Sequence, residues 1–186
     1  MSTTHSIKDL TMINFTDKQA IVDFLSGKGT DYKGRSYVSM LNWSDFQLEE
    51  CHDQIQWFFP LHEESKFAIV CPIITKGIID ELAEGFGLLN AVQCNLVKAK
   101  FRMDEFFGIG KYKDRNKQRR WCRNRNHNLL RITRIIRSLR IFRLDDEAQE
   151  VYDDAFEAGV YFGIDAYTLS KWEQALKSGV WDTLKD

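Results

Sequence analysis

His127-Asn128-Leu129-Leu130-Arg131-Ile132-Thr133-Arg134-Ile135-Ile136-Arg137-Ser138-Leu139 decides the fold class. Leu129, Ile132, Ile135, Ile136, Leu139 and Phe142 recur at three- and four-residue steps, which predicts one amphipathic helix from His127 to Leu144. No stretch of the chain alternates apolar and polar residues as a half-buried strand would. Prolines occur only at positions 60 and 72, so long segments lack the residue that most disrupts helices. The reading is all-α: a single compact multi-helix bundle of six or seven helices, with residues 1–186 forming one domain.

Working outward, three capping boxes predict helix starts. Thr16 with Gln19 opens a helix to about Leu25, Ser44 with Gln47 one that ends before Pro60, and Ser170 with Glu173 one closed by Gly179. Thr75 is expected to cap a long helix through Ile78, Leu82, Phe86, Leu89, Leu96, Met103 and Phe107, weakened at Gly85 and Gly87. A basic loop is expected from Gly108 to Asn126, and a further amphipathic helix from Ala148 to Phe162.

Met1-Ser2-Thr3-Thr4-His5 has neither the basic start nor the apolar run of a secretory signal. The longest apolar stretch, Phe67 to Ile74, falls far short of the ~20 residues that span a bilayer. A soluble cytoplasmic protein is expected, nuclear if eukaryotic, with no membrane partner. Cys51, Cys71, Cys94 and Cys122 show no paired spacing and read as reduced thiols. The net charge of −1 conceals strong segregation. Residues 1–110 hold 10 Lys/Arg against 15 Asp/Glu, residues 111–143 hold 13 against 1, and residues 144–186 hold 3 against 11.

Two stretches carry a resemblance. His52-Asp53-Gln54-Ile55-Gln56-Trp57-Phe58-Phe59-Pro60-Leu61 resembles the "HDYIQWLFPL" signature of the opioid growth factor receptor domain family, and His127 to Leu139 resembles its "HNxLRITRIxxSL". Gly34-Arg35-Ser36, Leu41-Asn42-Trp43 and Thr75 also fit. The family-like region covers about residues 30–144, with a C-terminal helical extension over 145–186. Gln54 replaces an aromatic, and Ile78-Ile79 replaces an acidic helix start. The family is named for animal proteins that bind opioid peptide at the nucleus and restrain growth, and its domain is widespread in bacteria and their viruses. Without the long extensions and repeats of the animal receptors, the resemblance implies a stand-alone bacterial or phage protein. It brings no catalytic residues.

Two constellations compete for function. In the first, His127, Arg131, Arg134 and Ser138 fall along one side of their helix with Asn128 beside them, and His52, Gln56 and Trp57 complete a polar cleft. Arginine forks suit phosphate or carboxylate, so the cleft fits a nucleotide or other small anionic ligand. The alternative pairs these arginines with Asp53, Glu49 and Glu50 as packing. The second constellation is the basic stretch with Lys111, Lys113, Arg115, Lys117, Arg119, Arg120, Arg123 and Arg125, interleaved with Tyr112 and Trp121. Clustered cations with aromatics fit nucleic-acid contact, with Lys117, Arg119, Arg120, Trp121, Arg123 and Arg125 as the binding residues. Its alternative is neutralisation by the chain's own acids, seven within Asp145 to Glu157. Cys51, His52, Cys122 and His127 lack zinc-ligand spacing, so no metal or cofactor is expected.

The function expected is therefore non-enzymatic binding through residues 111–143, to nucleic acid or an acidic protein. A small-molecule binder or enzyme built on the cleft is the alternative. No catalytic residue is assigned, and the oligomeric state is left open.

Overall fold

In the computed structural model, residues 13–65, 68, 70–85 and 87–178 are described. The expectations for Met1 to His5, Phe67, Phe86 and Gly179 lie outside them. Among the described residues the chain is all-α, with ten α-helices rather than six or seven, one 3-10 turn and two short strands. Two extra helices come from breaks inside segments whose periodicity reads as continuous, and two, over Tyr37–Leu41 and Arg115–Trp121, lie where no helix is expected.

α1 (Lys18–Leu25) is capped by Asp17, one residue after the expected Thr16. α2 (Tyr37–Leu41) is capped by Ser36. The Ser44–Gln47 capping box forms with both halves in place, but its helix is two helices. α3 (Asp45–Glu50) stops where Cys51 turns extended, and α4 (Gln54–Phe58) restarts three residues later. Gln54 is buried and donates from its amide to the Leu48 carbonyl, filling the place of the aromatic across this break.

Thr75 caps α5 (Lys76–Glu84), which ends at Gly85. Gly87 takes the left-handed conformation at φ +73°, where other residues are strained, and α6 (Leu88–Phe107) begins after it. Gly85 and Gly87 thus split the predicted long helix instead of merely weakening it. The expected basic loop contains α7 (Arg115–Trp121), capped by Asp114. α8 (His127–Ile141) ends short of the expected Leu144, and α9 (Asp145–Phe162) begins before the expected Ala148. α10 (Ala166–Lys177) is capped by Asp165, so Ser170 lies inside it rather than at its cap. Strands β1 (Ile13–Phe15) and β2 (Val70–Pro72) pair in parallel over three residues, too few to leave an alternating signal.

The α8 stripe forms the centre of the core. Leu129, Ile132, Ile135, Ile136 and Leu139 are buried, as are Ala148, Val151, Ala155 and Ala158 of α9 and Trp172 of α10. Small residues on α9 let α10 approach. A side chain at Gly159 would meet Leu169 at 2.9 Å. Trp172 closes the layer by donating its indole N–H to the Leu129 carbonyl at 3.0 Å.

A charged knot ties the region before α2 to α4. Arg35 binds Asp53 bidentately at 3.0 and 3.1 Å and also holds Asp31, whose carboxylate accepts from the Lys33 and Arg35 amides. Lys33 and the Tyr32 hydroxyl reach Asp53 at 2.8 Å. Burial alone would raise the Asp53 pKa, but these hydrogen bonds prevail and hold it down to about 2, against an ordinary 3.8. That depression corresponds to about 2 kcal/mol of stability. Because the folded value lies below the unfolded one, this contribution is full above about pH 4 and disappears as pH falls through about 2. Asp53→Asn is expected to lose at least about 2 kcal/mol at pH 7 by urea unfolding. The gap from wild type should close between pH 4 and 2, and a gap independent of pH would contradict this role.

Candidate functional site

The two motif segments meet through backbone carbonyls that the broken helices leave without internal partners. α3 ends near Glu49, and Pro60 stops α4. Arg131 donates to the Glu49 carbonyl at 3.4 Å, Arg134 to the Phe59 carbonyl at 3.0 Å and Ser138 to the Pro60 carbonyl at 3.0 Å. These three residues lie along one side of α8, as their spacing predicts. Of the acids expected to pair with the motif arginines, Glu49 approaches Arg131 at 3.7 Å, whereas Asp53 is taken by Arg35.

Beside this seam lies a cleft of about 560 Å³, lined by His52, Gln56, His127, Arg131 and Arg134 of the predicted set. Ile55, Leu61, Leu130, Thr133, Arg137 and the Glu63–Ser65 segment complete its walls. Leu130 and Arg137 follow from the helical period of Arg134 and were within reach of the sequence. Nothing in the pattern marks Glu63 to Ser65.

Two predicted residues do not line the cleft. Trp57 is wholly buried, edge-on to Phe24 at 5.0 Å and stacked against Tyr32 at 6.0 Å, and so serves as a core anchor. Asn128 is buried on the other side of the seam, where it donates to Glu49 and accepts from Arg131 at 3.1 Å.

Within the cleft the His52 and His127 rings meet edge-on with centroids 5.2 Å apart. Burial lowers the His127 pKa, reinforced by the Arg131 guanidinium and opposed by Glu49, which lies 3.3 Å away. The net effect favours the uncharged imidazole. Burial also lowers Arg131, against the pull of Glu49, and brings Arg134 down to about 10. Gln56 is 3% exposed; with its amide oriented to satisfy both ends it donates to the His52 and Asp53 carbonyls and accepts from Ser65. Its part is to brace the turn that carries His52. Burial pushes the Cys122 thiol up to about 12, which makes it a poor thiolate, and no group of His, Cys, Asp or Glu among the described residues could hold a metal.

The basic stretch divides into paired and unpaired charges. Lys113 and Arg115 reach Glu157 of α9 at 2.5 and 2.9 Å, and Lys117 reaches Asp45 at 3.0 Å. Arg119, Arg120, Arg123 and Arg125 are exposed and form no ion pair among the described residues. Trp121, expected on the base-stacking face, is instead 2% exposed, with its indole donating to the Phe107 carbonyl at 2.8 Å. α7 lies so close to the end of α6 that a side chain at Gly108 would meet the Asp114 carbonyl at 2.8 Å. That proximity turns the tryptophan inward.

A family model described as the opioid growth factor receptor (OGFr) conserved region matches residues 36–152, from the cap of α2 into α9. The opioid growth factor receptor of Mus musculus is 38% identical over 112 residues, covering 53% of this chain and 17% of that protein. The receptor of Homo sapiens is 36% identical over 111 residues, covering 53% and 16%. The match thus spans about a sixth of the length of these curated relatives. No solved structure matches.

The seam can be tested at Ser138, which is fully buried. Ser138→Ala strands the Pro60 carbonyl and is expected to cost about 1–3 kcal/mol in chemical denaturation. A loss within about 0.3 kcal/mol, small against that penalty, would mean the seam is held by apolar packing alone.

Proposed function

We propose that this chain, which belongs to the opioid growth factor receptor conserved-region family, is a non-enzymatic module that binds nucleic acid through phosphates, using the exposed arginines of α7 and the turn after it. The observation that carries this reading is that Arg119, Arg120, Arg123 and Arg125 form no ion pair among the described residues, whereas Lys113, Arg115 and Lys117 beside them are engaged. Solvated guanidiniums with no acid to satisfy them are the groups that release counterions from a phosphate backbone. The buried Trp121 removes base stacking from α7 and favours contact that follows the backbone irrespective of sequence. Arg125 supports the reading from another side. It sits in the left-handed region at φ +67°, a conformation that costs a non-glycine residue roughly 1–2 kcal/mol and is often kept where a side chain must be presented.

Fluorescence anisotropy of labelled duplex DNA, single-stranded DNA and RNA tests the proposal. With four phosphate contacts, log affinity should fall against log salt with a slope of roughly −3 to −4. That is about a hundredfold loss between 50 and 200 mM salt. Charge reversal, Arg119→Glu with Arg120→Glu, should abolish binding without changing the unfolding midpoint. Absence of binding near physiological salt, or binding indifferent to the reversal, removes the reading. Arg125→Gly separates strain from charge: stability should rise by up to about 1 kcal/mol while affinity falls.

A further inference from the structure

The cleft beside the seam contains a guanidinium that its one seam hydrogen bond leaves without an ion pair among the described residues. Of the three arginines along its α8 wall, Arg137 is gripped by Glu63 at 2.5 and 3.1 Å. Arg131 lies on Asn128 and Glu49. Arg134 makes one hydrogen bond, to the Phe59 carbonyl, and no ion pair among the described residues. A guanidinium carries five N–H donors in a planar fork, so a single bond leaves most of it unengaged. Glu63 attracts Arg134 but is held in contact by Arg137, and an anion entering the cleft adds a counter-charge in direct contact with the buried cation.

The rest of the cleft is suited to the remainder of such a ligand. Ile55, Leu61 and Leu130 supply apolar wall, and Leu130 stands 55% exposed at the mouth. The volume of about 560 Å³ falls within the ~300–1,000 Å³ of ordinary small-molecule sites. Glu63 and Glu64 also lie along it and repel a dianion about twice as strongly as a monoanion.

We propose that this cleft binds a small organic monocarboxylate, with its carboxylate on the Arg134 fork and its apolar body against Ile55, Leu61 and Leu130. The site is separate from the arginines of α7 and stands whether or not they bind nucleic acid.

Isothermal titration of the full chain with 2-naphthoate, its uncharged isostere 2-naphthamide and dianionic 1-naphthyl phosphate tests it. Naphthoate should bind one-to-one and at least about tenfold more tightly than either analogue, the margin expected of a charge-assisted hydrogen bond. Leu130→Asp places a repelling carboxylate on an exposed position and should weaken naphthoate by about tenfold or more with the unfolding midpoint unchanged. Arg134→Gln retains a donor for the Phe59 carbonyl and, in the folded protein, should show the same loss. Arg119→Glu with Arg120→Glu should leave naphthoate affinity intact. Absence of naphthoate binding at millimolar concentration, equal or tighter binding of the amide or phosphate, or indifference to Leu130→Asp overturns the proposal.

Discussion

α8 reaches across to the broken helices α3 and α4 and supplies hydrogen bonds that they cannot make for themselves. Helices of six and five residues are too short to be stable alone, because nucleation costs more than so few bonds return. Their ends expose carbonyls, and burying those without donors would cost a few kcal/mol between them. Arg131, Arg134 and Ser138 meet the need from one helical side, while the opposite side of the same helix fills the core against α9 and α10. α8 therefore stands between the irregular N-terminal half and the regular C-terminal layer. Each motif needs the other: one leaves acceptors, and the other brings donors at the matching spacing.

Much of this is legible in the residues. The period of Leu129 to Phe142 gives α8 and the all-α class, and the Ser44–Gln47 box gives the start of α3. Breaks are less legible. Cys51 to Asp53 holds no proline or glycine, and the chain departs from helix there because Asp53 is drawn to Arg35 and Gln54 to Leu48, partners distant or hidden in sequence. The two tryptophans mislead for a related reason. Trp121 sits among polar residues and Trp57 next to Gln56 in the motif, which suggests recognition surfaces, yet tertiary packing buries both. Five cleft residues are readable because the two motifs carry them, four on α4 and α8 and His52 on the turn between α3 and α4, whereas Glu63 to Ser65 arrive from a loop without periodicity.

Charge segregation along the chain becomes a division of labour in space. The acidic α9 takes up Lys113 and Arg115 from the basic stretch and, through Glu150, Lys100 of α6. Lys100 also holds Asp104 at 3.0 Å, although burial still raises that carboxyl to about 6. Among the described residues, the cations of the basic stretch left without an ion pair include Arg119, Arg120, Arg123 and Arg125 and, in the cleft, Arg134. The motif residues mostly hold the fold together, so their presence in a relative speaks first of architecture. The proposed phosphate surface draws instead on residues around the motif.

Native-state hydrogen exchange under rising denaturant tests most directly the dependence of α3 and α4 on α8. Amides of Gln54 to Phe59 should open with the same free energy as those of Ile132 to Leu139, merging into one cooperative unit at low denaturant. Exchange of the α4 amides by local fraying, several kcal/mol below those of α8, would show that the carbonyl seam does not hold the two motifs together.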